Sequence, residues 1–290
     1  MILDVERFCV NDGPGVRTRV RLKGCPLRCV WCDEPESQLL QPEVEIDGLS
    51  HDGSDDCIAA CRGRVFASPG QLQDTFCSAC PLCSEAAGDH LVQTIGRVWS
   101  LSEVMDTLQR DRHIFLRSGG GITLAGGEPL YQSEFTLALL RAAKAQGWHT
   151  AIDTSGQAST AVFEEALRWV DLVLFDLKET DLELHRAWTG VPLEPIIRNL
   201  VRAAVAQCEL WVRLPVVPLA NDRDDHWHRL GSLLADLPGK PSAHLVPFHY
   251  GPTPVGPGEP RPAAMISPAP GRLLAISQIL ESYGVDVFRP

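Results

Sequence analysis

The sequence predicts an α/β fold built mainly from parallel strands. From Ser100 onward, short apolar runs alternate regularly with helical stretches, and one earlier strand brings the total to six. Each strand except the last is followed by a helical stretch, which is typical of successive βα units. Residues 39–95 differ, because they lack a long helical period and carry five cysteines. We therefore predict a main unit of residues 1–38 and 96–290, with an insert at 39–95.

Composition limits the classes of function. The chain has 290 residues, 44% of them hydrophobic, and a formal net charge of -11. This length suffices for one large core or for a core with a small module. An acidic chain without basic runs is poorly suited to bind nucleic acid. No apolar run has the length of a membrane span, and the N-terminus lacks a signal-peptide pattern. We expect a cytoplasmic monomer.

The first strand of the main unit leads into a cysteine loop. Residues 16–22 alternate apolar and polar side chains, as in a half-buried strand. Cys25, Cys29 and Cys32 follow with C-x3-C-x2-C spacing. An iron-sulfur cluster usually takes four thiolates, so three on one loop would leave a fourth iron open to a ligand. A zinc knuckle or three unrelated buried thiols remain as alternatives at this point.

The insert carries a second group of cysteines. Its last three follow C-x2-C-x2-C spacing, as in a bacterial ferredoxin, but Ala87 stands where the fourth would be. In two-cluster ferredoxins the fourth cysteine of one run binds the other cluster, so a cysteine from the earlier pair, Cys57 and Cys61, is expected to complete the set. A four-cysteine zinc site is the alternative. The predicted ligands of one auxiliary [4Fe-4S] cluster are Cys61, Cys77, Cys80 and Cys83.

The remaining elements are predicted in order from periodicity and capping. Ser100 and Glu103 form a capping-box pattern at the start of a helix that extends to about residue 110. The loop at 251–270 is rich in proline and glycine. The predicted strands are 122–127, 150–156, 172–178, 210–217 and 243–249, and the predicted helices are 132–146, 160–169, 181–188, 195–206, 225–236 and 271–283.

Distinctive polar residues lie where predicted strands end. Gly126 and Gly127 would let the backbone approach a ligand, and Glu128 offers a carboxylate to an amino group. Each residue alone has an ordinary explanation, such as a helix cap, a surface lysine or an ion-paired arginine. Their repetition at successive strand ends predicts a site at the carboxyl edge of the strands. The other residues of this set are Asp153, Thr154, Asp176, Lys178, Arg213 and His249.

Several motifs together resemble the radical S-adenosylmethionine (SAM) enzymes, and within them the glycyl-radical-enzyme activating enzymes. The resemblance implies an open, partial (β/α)6 barrel with a small cysteine-rich, ferredoxin-like insert. The strand and helix pattern alone leaves a doubly wound sheet as an alternative. The matching segments are DGPGVRT (12–18), LKGCPLRCVWC (22–32), PESQ (35–38), SGGGITLAGGEPLYQ (118–132), DTSG (153–156), DLK (176–178), WTGV (188–191) and VRLPVVP (212–218).

The resemblance implies an oxidoreductase that uses SAM and a [4Fe-4S] cluster. In that family an electron from the cluster cleaves SAM, and the 5'-deoxyadenosyl radical takes hydrogen from a glycine of a partner enzyme. A flavodoxin or ferredoxin would supply the electron. One alternative is a related radical SAM enzyme that modifies a small molecule or a peptide. Another is an iron-sulfur electron carrier, which the strand-end residues disfavour.

The resemblance also implies roles for individual residues. The Gly126-Gly127-Glu128 motif would contact the methionyl amine of SAM. Asp12 would contact the glycyl loop of the partner, and Lys178 and Arg213 would belong to the catalytic site. The residues implied to line the SAM pocket are Trp31, Asp153, Lys178 and His249, and those implied to bind a monovalent cation are Asp153, Thr154 and Asp176.

One departure from the family follows the cysteine loop. Most activating enzymes read HNPES after the last cysteine, whereas this chain has Asp33 and Glu34 before Pro35. Two ionised carboxylates beside an anionic cluster should lower its reduction potential by repulsion. We therefore predict a cluster that is harder to reduce than that of an Asp33→His variant.

Overall fold

The described residues form one large sheet with helices and two small strand pairs. The computed structural model describes residues 1–46, 66–68, 71–72, 92–248, 267–269 and 271–290. The predicted site residues outside these ranges are Cys61, Cys77, Cys80, Cys83 and His249.

The large sheet has eight strands in the order β1-β2-β7-β8-β9-β10-β11-β12. β1 pairs antiparallel with β2, and all the other neighbours are parallel. The strands of the described residues are β1 (Ile2–Cys9), β2 (Arg17–Leu22), β3 (Glu43–Ile46), β4 (Phe66–Ser68), β5 (Gln71–Leu72), β6 (Val92–Ile95), β7 (Gly121–Gly126), β8 (His149–Thr154), β9 (Leu172–Asp176), β10 (Glu209–Val216), β11 (Ser242–Pro247) and β12 (Val287–Phe288).

The strand order decides between the two α/β arrangements. A doubly wound sheet reverses its order at a switch point, whereas the six strands from β2 through β7 to β11 follow one another in sequence order. Successive right-handed crossovers in such a sheet place the helices on one face. The prediction of six parallel βα strands in an open (β/α)6 arrangement is confirmed. The edge strands β1 and β12 were not predicted.

The described ranges contain eight α-helices, and the predicted capping box at Ser100 is confirmed. The Ser100 hydroxyl accepts a hydrogen bond from the Glu103 N–H at 3.2 Å, and the Glu103 carboxylate accepts one from the Ser100 N–H at 2.6 Å. The helices are α1 (Leu101–Gln109), α2 (Arg112–Ser118), α3 (Ser133–Ala145), α4 (Thr160–Leu167), α5 (Leu182–Thr189), α6 (Glu194–Ala204), α7 (Asp224–Asp236) and α8 (Arg272–Glu281). Only α2 was not predicted.

The core lies between the sheet and the helices. β7 and β9 are buried along nearly their whole length, as is typical of parallel strands in α/β proteins. β2 differs, because Val20 and Leu22 are fully buried while the alternate positions carry Arg19 and Arg21. Since alternate side chains point to opposite faces of a strand, β2 presents a cationic row on the face opposite its apolar side chains.

The two ends of the 39–95 segment lie side by side. β3 and β6 pair antiparallel, with Glu43 opposite Ile95. The fully buried Lys23 ammonium, just before the cysteine loop, contacts the Glu43 carboxylate at 2.7 Å. This ion pair ties the start of the segment to the main sheet. In the part of the chain that the structure describes, no helix is long and apolar enough to cross a bilayer.

Candidate active site

A cavity of about 330 Å³ opens at the carboxyl ends of the strands. Its wall combines the cysteine loop with the ends of β7, β8 and β9 and with side chains of β10. The structure therefore brings together most of the residues predicted for the site. Those in the cavity wall are Cys25, Cys29, Cys32, Trp31, Gly126, Gly127, Asp153, Thr154, Asp176, Lys178 and Arg213.

Backbone hydrogen bonds hold the start of the cysteine loop. The Gly24 N–H donates to the Ser37 carbonyl at 2.7 Å, and the Cys25 N–H donates to the Gln38 carbonyl at 3.0 Å. The Gly24 carbonyl accepts from the Glu128 N–H at 2.9 Å. The PESQ segment and the GGE loop thus clamp the first cysteine from two sides.

The WTGV segment holds the middle of the same loop. The Arg28 N–H donates to the Thr189 carbonyl at 2.7 Å, and the Val30 N–H donates to the Trp188 carbonyl at 3.0 Å. The Trp31 ring packs against the Trp188 ring, with 6.4 Å between their centroids. A segment that the sequence marked only by resemblance therefore has a specific task, which is to position the cysteine loop.

The three thiols fit an iron-sulfur cluster better than a single metal ion. Burial raises the pKa of Cys25 and of Cys29 to about 12, and it also raises the pKa of Cys32. Thiols this well shielded become stable thiolates only when a metal replaces the proton. Among the described residues, no three histidine, cysteine or carboxylate side chains converge as a single-ion site requires. A cubane binds each thiolate through a different iron, so separated thiols around one cavity suit it.

The two glycines of the GGE loop allow two backbones to approach closely. Gly126 has a φ of 102°, and a Cβ there would lie 2.5 Å from the Leu22 carbonyl oxygen. A Cβ on Gly127 would lie 2.5 Å from the Gly24 carbonyl oxygen. A side chain at Gly126 would push β2 away from β7, and one at Gly127 would push the start of the cysteine loop away from the GGE loop. The sequence argument assigned the close approach at these glycines to a ligand, whereas the close neighbour in the structure is this chain's own backbone.

The Glu128 carboxylate is fully buried and is not among the groups that line the cavity. One oxygen accepts from the Thr154 hydroxyl at 2.7 Å and from the Leu130 N–H at 3.2 Å. The other accepts from the Ser155 N–H at 2.9 Å and from the Ser155 hydroxyl at 2.6 Å. Burial raises the pKa of Glu128, and these hydrogen bonds oppose that rise. The carboxylate joins the end of β7 to the end of β8, which leaves Gly126 and Gly127 as the parts of the motif that reach the cavity.

Four charged side chains form a neutral cluster in the cavity. Arg213 contacts the Asp153 carboxylate at 2.8 Å and the Asp176 carboxylate at 3.3 Å. The Lys178 ammonium contacts Asp176 at 2.9 Å. These strand-end residues lie on β8, on β10, and at or just after the end of β9, so the parallel register brings them together. Arg213 therefore does pair with acidic neighbours, and it also lines the cavity.

The two carboxyls of this cluster differ in acidity. Burial raises the pKa of Asp153 to about 6, and Arg213 only partly opposes this. Burial acts in the same direction on Asp176, but Lys178 and Arg213 outweigh it and lower its pKa. Burial would lower the pKa of Lys178, yet Asp176 outweighs it, so the ammonium stays charged. Asp153 is thus the group of the cluster whose charge changes nearest to neutral pH.

Asp12 lies in the turn that precedes β2. Its carbonyl accepts from the Thr123 hydroxyl at 2.9 Å, and the same hydroxyl accepts from the buried Arg17 guanidinium at 2.6 Å. The Asp12 side chain is half-buried and lies outside the cavity wall. Its charge nevertheless raises the pKa of Arg213, after the larger effects of Asp153 and Asp176.

Arg19 and Glu34 are charged residues of the cavity wall that sequence reasoning did not place in the site. Arg19 lines the cavity, and its guanidinium contacts the Glu34 carboxylate at 3.0 Å. Glu34 was singled out as a departure from the family motif but was not placed in the site. The available signal was the row of Arg17, Arg19 and Arg21, which alternation places on one face of β2.

Comparison with known proteins places this geometry in context. The family model described as the Radical SAM superfamily matches residues 75–230. Isethionate sulfite-lyase activating enzyme of Oleidesulfovibrio alaskensis is 37% identical over 256 residues, which cover 85% of this chain and 82% of that protein. Benzylsuccinate synthase activating enzyme of Thauera aromatica is 34% identical over 265 residues, which cover 87% and 79%.

A solved structure shows the same likeness. A domain of pyruvate-formate lyase-activating enzyme from Bacteroides vulgatus superposes with a TM-score of 0.52 at 31% sequence identity. The superposition covers 59% of this chain and 99% of that domain. Sequence and fold comparisons therefore point to one group of enzymes.

Proposed function

Because this chain belongs to the radical SAM superfamily, and within it to the glycyl-radical enzyme activating enzymes, we propose that it activates a partner glycyl radical enzyme. The observation that carries this is the single cavity shared by the three thiols, the glycines of the GGE loop and the four-charge cluster. When bound, the cluster supplies the electron that converts SAM into methionine and a 5'-deoxyadenosyl radical, which takes a hydrogen atom from a glycine.

Different residues of the cavity would bind the cluster and SAM. Cys25, Cys29 and Cys32 would hold the cluster, since they are the thiols that line the cavity. The backbone of Gly126 and Gly127 would receive the methionyl amine. The buried walls around these groups exclude water, which protects a reactive intermediate from side reactions.

The charged cluster and its neighbours complete the site. Lys178 stays cationic, so it can neutralise negative charge beside the cluster. Arg213 orients the carboxylates of Asp153 and Asp176 at the strand ends. We infer that Trp31 and Thr154 line the SAM pocket with them, and that His249, outside the described residues, does so as well.

We also propose that Asp12 contacts the glycyl loop of the partner. Its position in the turn before β2 and its electrostatic effect on Arg213 support a place on the partner side of the site. An Asp12→Asn variant should weaken activation of the partner while SAM affinity, measured by equilibrium dialysis, stays unchanged.

We propose that Asp153, Thr154 and Asp176 bind a monovalent cation. Arg213 already contacts both carboxylates, so a cation has to compete with a guanidinium. We therefore expect weak binding, with the Kd for SAM changing less than twofold between potassium and choline buffers. A larger potassium effect would show that the cation displaces Arg213.

We propose that the insert holds one auxiliary [4Fe-4S] cluster on Cys61, Cys77, Cys80 and Cys83. The antiparallel pairing of β3 with β6 supports a separate unit between them. Iron, sulfide and zinc should be assayed anaerobically in a variant that lacks Cys25, Cys29 and Cys32. Four iron atoms with sulfide are expected, whereas stoichiometric zinc without sulfide would contradict the proposal.

We further propose that the protein works as a cytoplasmic monomer reduced by a flavodoxin or ferredoxin. The acidic chain and the family membership support these statements. Anaerobic reduction by each purified donor, followed by electron paramagnetic resonance (EPR), and sedimentation of the reconstituted protein test them directly.

Activation itself is tested by anaerobic incubation with SAM, a reductant and candidate partners. The candidates are isethionate sulfite-lyase, benzylsuccinate synthase, pyruvate formate-lyase and any glycyl radical enzyme encoded beside this chain. The expected result is a glycyl EPR doublet in one of them, with one 5'-deoxyadenosine formed per radical. Release of 5'-deoxyadenosine without a radical in any partner would instead favour a radical SAM enzyme that modifies a small molecule or a peptide.

A further inference from the structure

The two oxygens of the Glu34 carboxylate, in the cavity wall, differ in their hydrogen bonds. One oxygen accepts from Arg19 Nη2 and from Arg21 Nη1, each at 3.0 Å. The other oxygen, Oε2, is buried and accepts no hydrogen bond from the described residues. Arg21 is also held by Asp4 through two hydrogen bonds of 2.7 and 2.6 Å. Arg21 is therefore fully engaged, and Glu34 keeps one acceptor free.

Arg19 keeps a matching donor. Its Nε is buried, and within the described part of the chain it has no hydrogen-bond partner. A guanidinium and a carboxylate commonly close a two-point fork that satisfies both groups, but here the second contact of Glu34 goes to Arg21 instead. Since buried polar atoms are nearly always paired, an unpaired donor and an unpaired acceptor on two touching side chains indicate a place for a ligand. Both residues line the cavity.

The charge balance selects the kind of ligand. Arg19 and Arg21 are balanced by Glu34 and Asp4, and the exposed Glu6 carboxylate lies 3.9 Å from Arg19, so the pair offers no excess positive charge to attract a carboxylate. What it offers is one N–H donor and one carboxylate acceptor. A peptide backbone presents the complementary set, because each residue carries one C=O and one N–H.

We propose that Arg19 and Glu34 form a backbone-binding subsite for the partner's glycyl loop. Arg19 Nε–H donates to a carbonyl of the loop, and Glu34 Oε2 accepts from one of its N–H groups. This subsite rests on the proposed function, because it assumes that a polypeptide enters the cavity. Glu34 replaces the asparagine of the HNPES motif, so the subsite belongs to this chain and not to the family pattern. It is a specificity-determining feature for this chain's own partner.

The test compares two variants with a matched control. Glu34→Gln replaces one carboxylate oxygen, either the unpaired Oε2 or the Oε1 that accepts from both arginines, with an NH2 group. Arg19→Lys removes the Nε donor while keeping the charge. Glu36→Gln is the control, because Glu36 lies on the same loop with an unpartnered buried oxygen but outside the cavity wall. Iron content and thermal midpoint verify that each variant is folded and loaded.

The probe is a synthetic peptide that spans the radical-bearing glycine of the partner identified by the activation experiment. Fluorescence anisotropy of the SAM-loaded protein measures its affinity, and equilibrium dialysis measures the Kd for SAM. We expect about tenfold weaker peptide binding in both variants and a similar rise in the KM for the partner, with the Kd for SAM within twofold of wild type. The control should match wild type in every measurement.

Three outcomes overturn the subsite. Unchanged peptide affinity in both variants removes it. Weaker SAM binding with unchanged peptide affinity shows that the pair contacts the nucleotide. A wild-type protein that cleaves SAM but forms a radical in no partner overturns the proposed function, and the subsite with it. This result differs from one in which wild type and both variants form the radical equally well, which overturns the subsite alone.

Discussion

Glu128 provides the sharpest test of how the site is built. The family pattern predicts that its carboxylate meets the amine of SAM, whereas the structure commits both oxygens to Thr154, Leu130 and Ser155. A Glu128→Gln substitution keeps the size of the side chain and one acceptor oxygen. If the carboxylate serves to join β7 to β8, the substitution should lower stability and leave SAM affinity nearly unchanged.

The hydrogen bonds set the size of the effect. In the best orientation the new amide NH2 replaces Oε1, where the Thr154 hydroxyl can accept in its turn. The Leu130 N–H, now at 3.2 Å from Oε1, then loses its acceptor, and the Thr154 hydroxyl has to turn its proton to another acceptor. A buried N–H without a partner costs about 1–3 kcal/mol. At about 2 °C of Tm per kcal/mol for a domain of this size, the expected fall is about 2–6 °C.

Thermal melts of the reconstituted protein under anaerobic conditions measure this change, and equilibrium dialysis measures the Kd for SAM. Asp106→Asn is the control, since Asp106 is exposed on α1, and its Tm should stay within about 1 °C. Glu128→Ala should cost about 3–6 kcal/mol, because two N–H groups and two hydroxyls lose their acceptor. A Glu128→Gln variant with unchanged Tm and tenfold weaker SAM binding would refute this reasoning and restore the contact with the amine.

Three further predictions follow from the same geometry. Burial raises the pKa of Asp153 from its ordinary 3.8 to about 6. Wild type should therefore lose up to about 3 kcal/mol of stability relative to Asp153→Asn as the pH rises from about 4 to 6, with no further change above pH 6. A difference in Tm between the two proteins that stays constant with pH would contradict this. Gly127→Ala should lose most of the iron bound by the cysteine loop, because its Cβ would lie 2.5 Å from a backbone oxygen, whereas Gly147→Ala, which has open space, should keep it. Asp33→His should raise the cluster potential by roughly 20–40 mV in a redox titration, the effect of one exposed charge, and an equal or lower potential in the variant would reject it.

The sequence predicted the main sheet well because each of its signals was local. The apolar runs of β7 and β9 and the capping box at Ser100 depend on neighbours along the chain. The two edge strands were missed for different reasons. β1 contains charged residues on both faces, and β12 has only two residues, so neither shows a strand pattern.

The site was predicted residue by residue, but its contacts were not. The strand-end rule placed Asp153, Asp176 and Lys178 near one another without specifying partners. Which carboxylate Arg213 would contact depends on the register of β9 and β10, and that register is set by packing across the whole sheet. Glu128 shows the limit most clearly, because its motif predicts the location of a carboxylate and not the direction it faces.

The structure corrects part of the sequence argument about the charges of Asp33 and Glu34. The sequence argument added two negative charges beside the cluster. In the structure Glu34 is neutralised by Arg19 and Arg21, so only the exposed Asp33 contributes an uncompensated charge. Arg21 and Arg19 lie 13 and 15 residues before Glu34 in the chain. Their ion pairs with Glu34 could be predicted only from the relative position of β2 and the loop.

The clamp on the cysteine loop has a consequence for how the protein is made. Cys32 is added to the growing chain 156 residues before Trp188, yet Trp188 and Thr189 supply two of the hydrogen bonds that shape the loop. At ordinary rates of translation this interval lasts roughly 10–30 s. During that time the three thiols are attached to a chain that has not yet shaped their binding site. Cluster delivery therefore belongs after synthesis, when the second half of the polypeptide has folded back over the first.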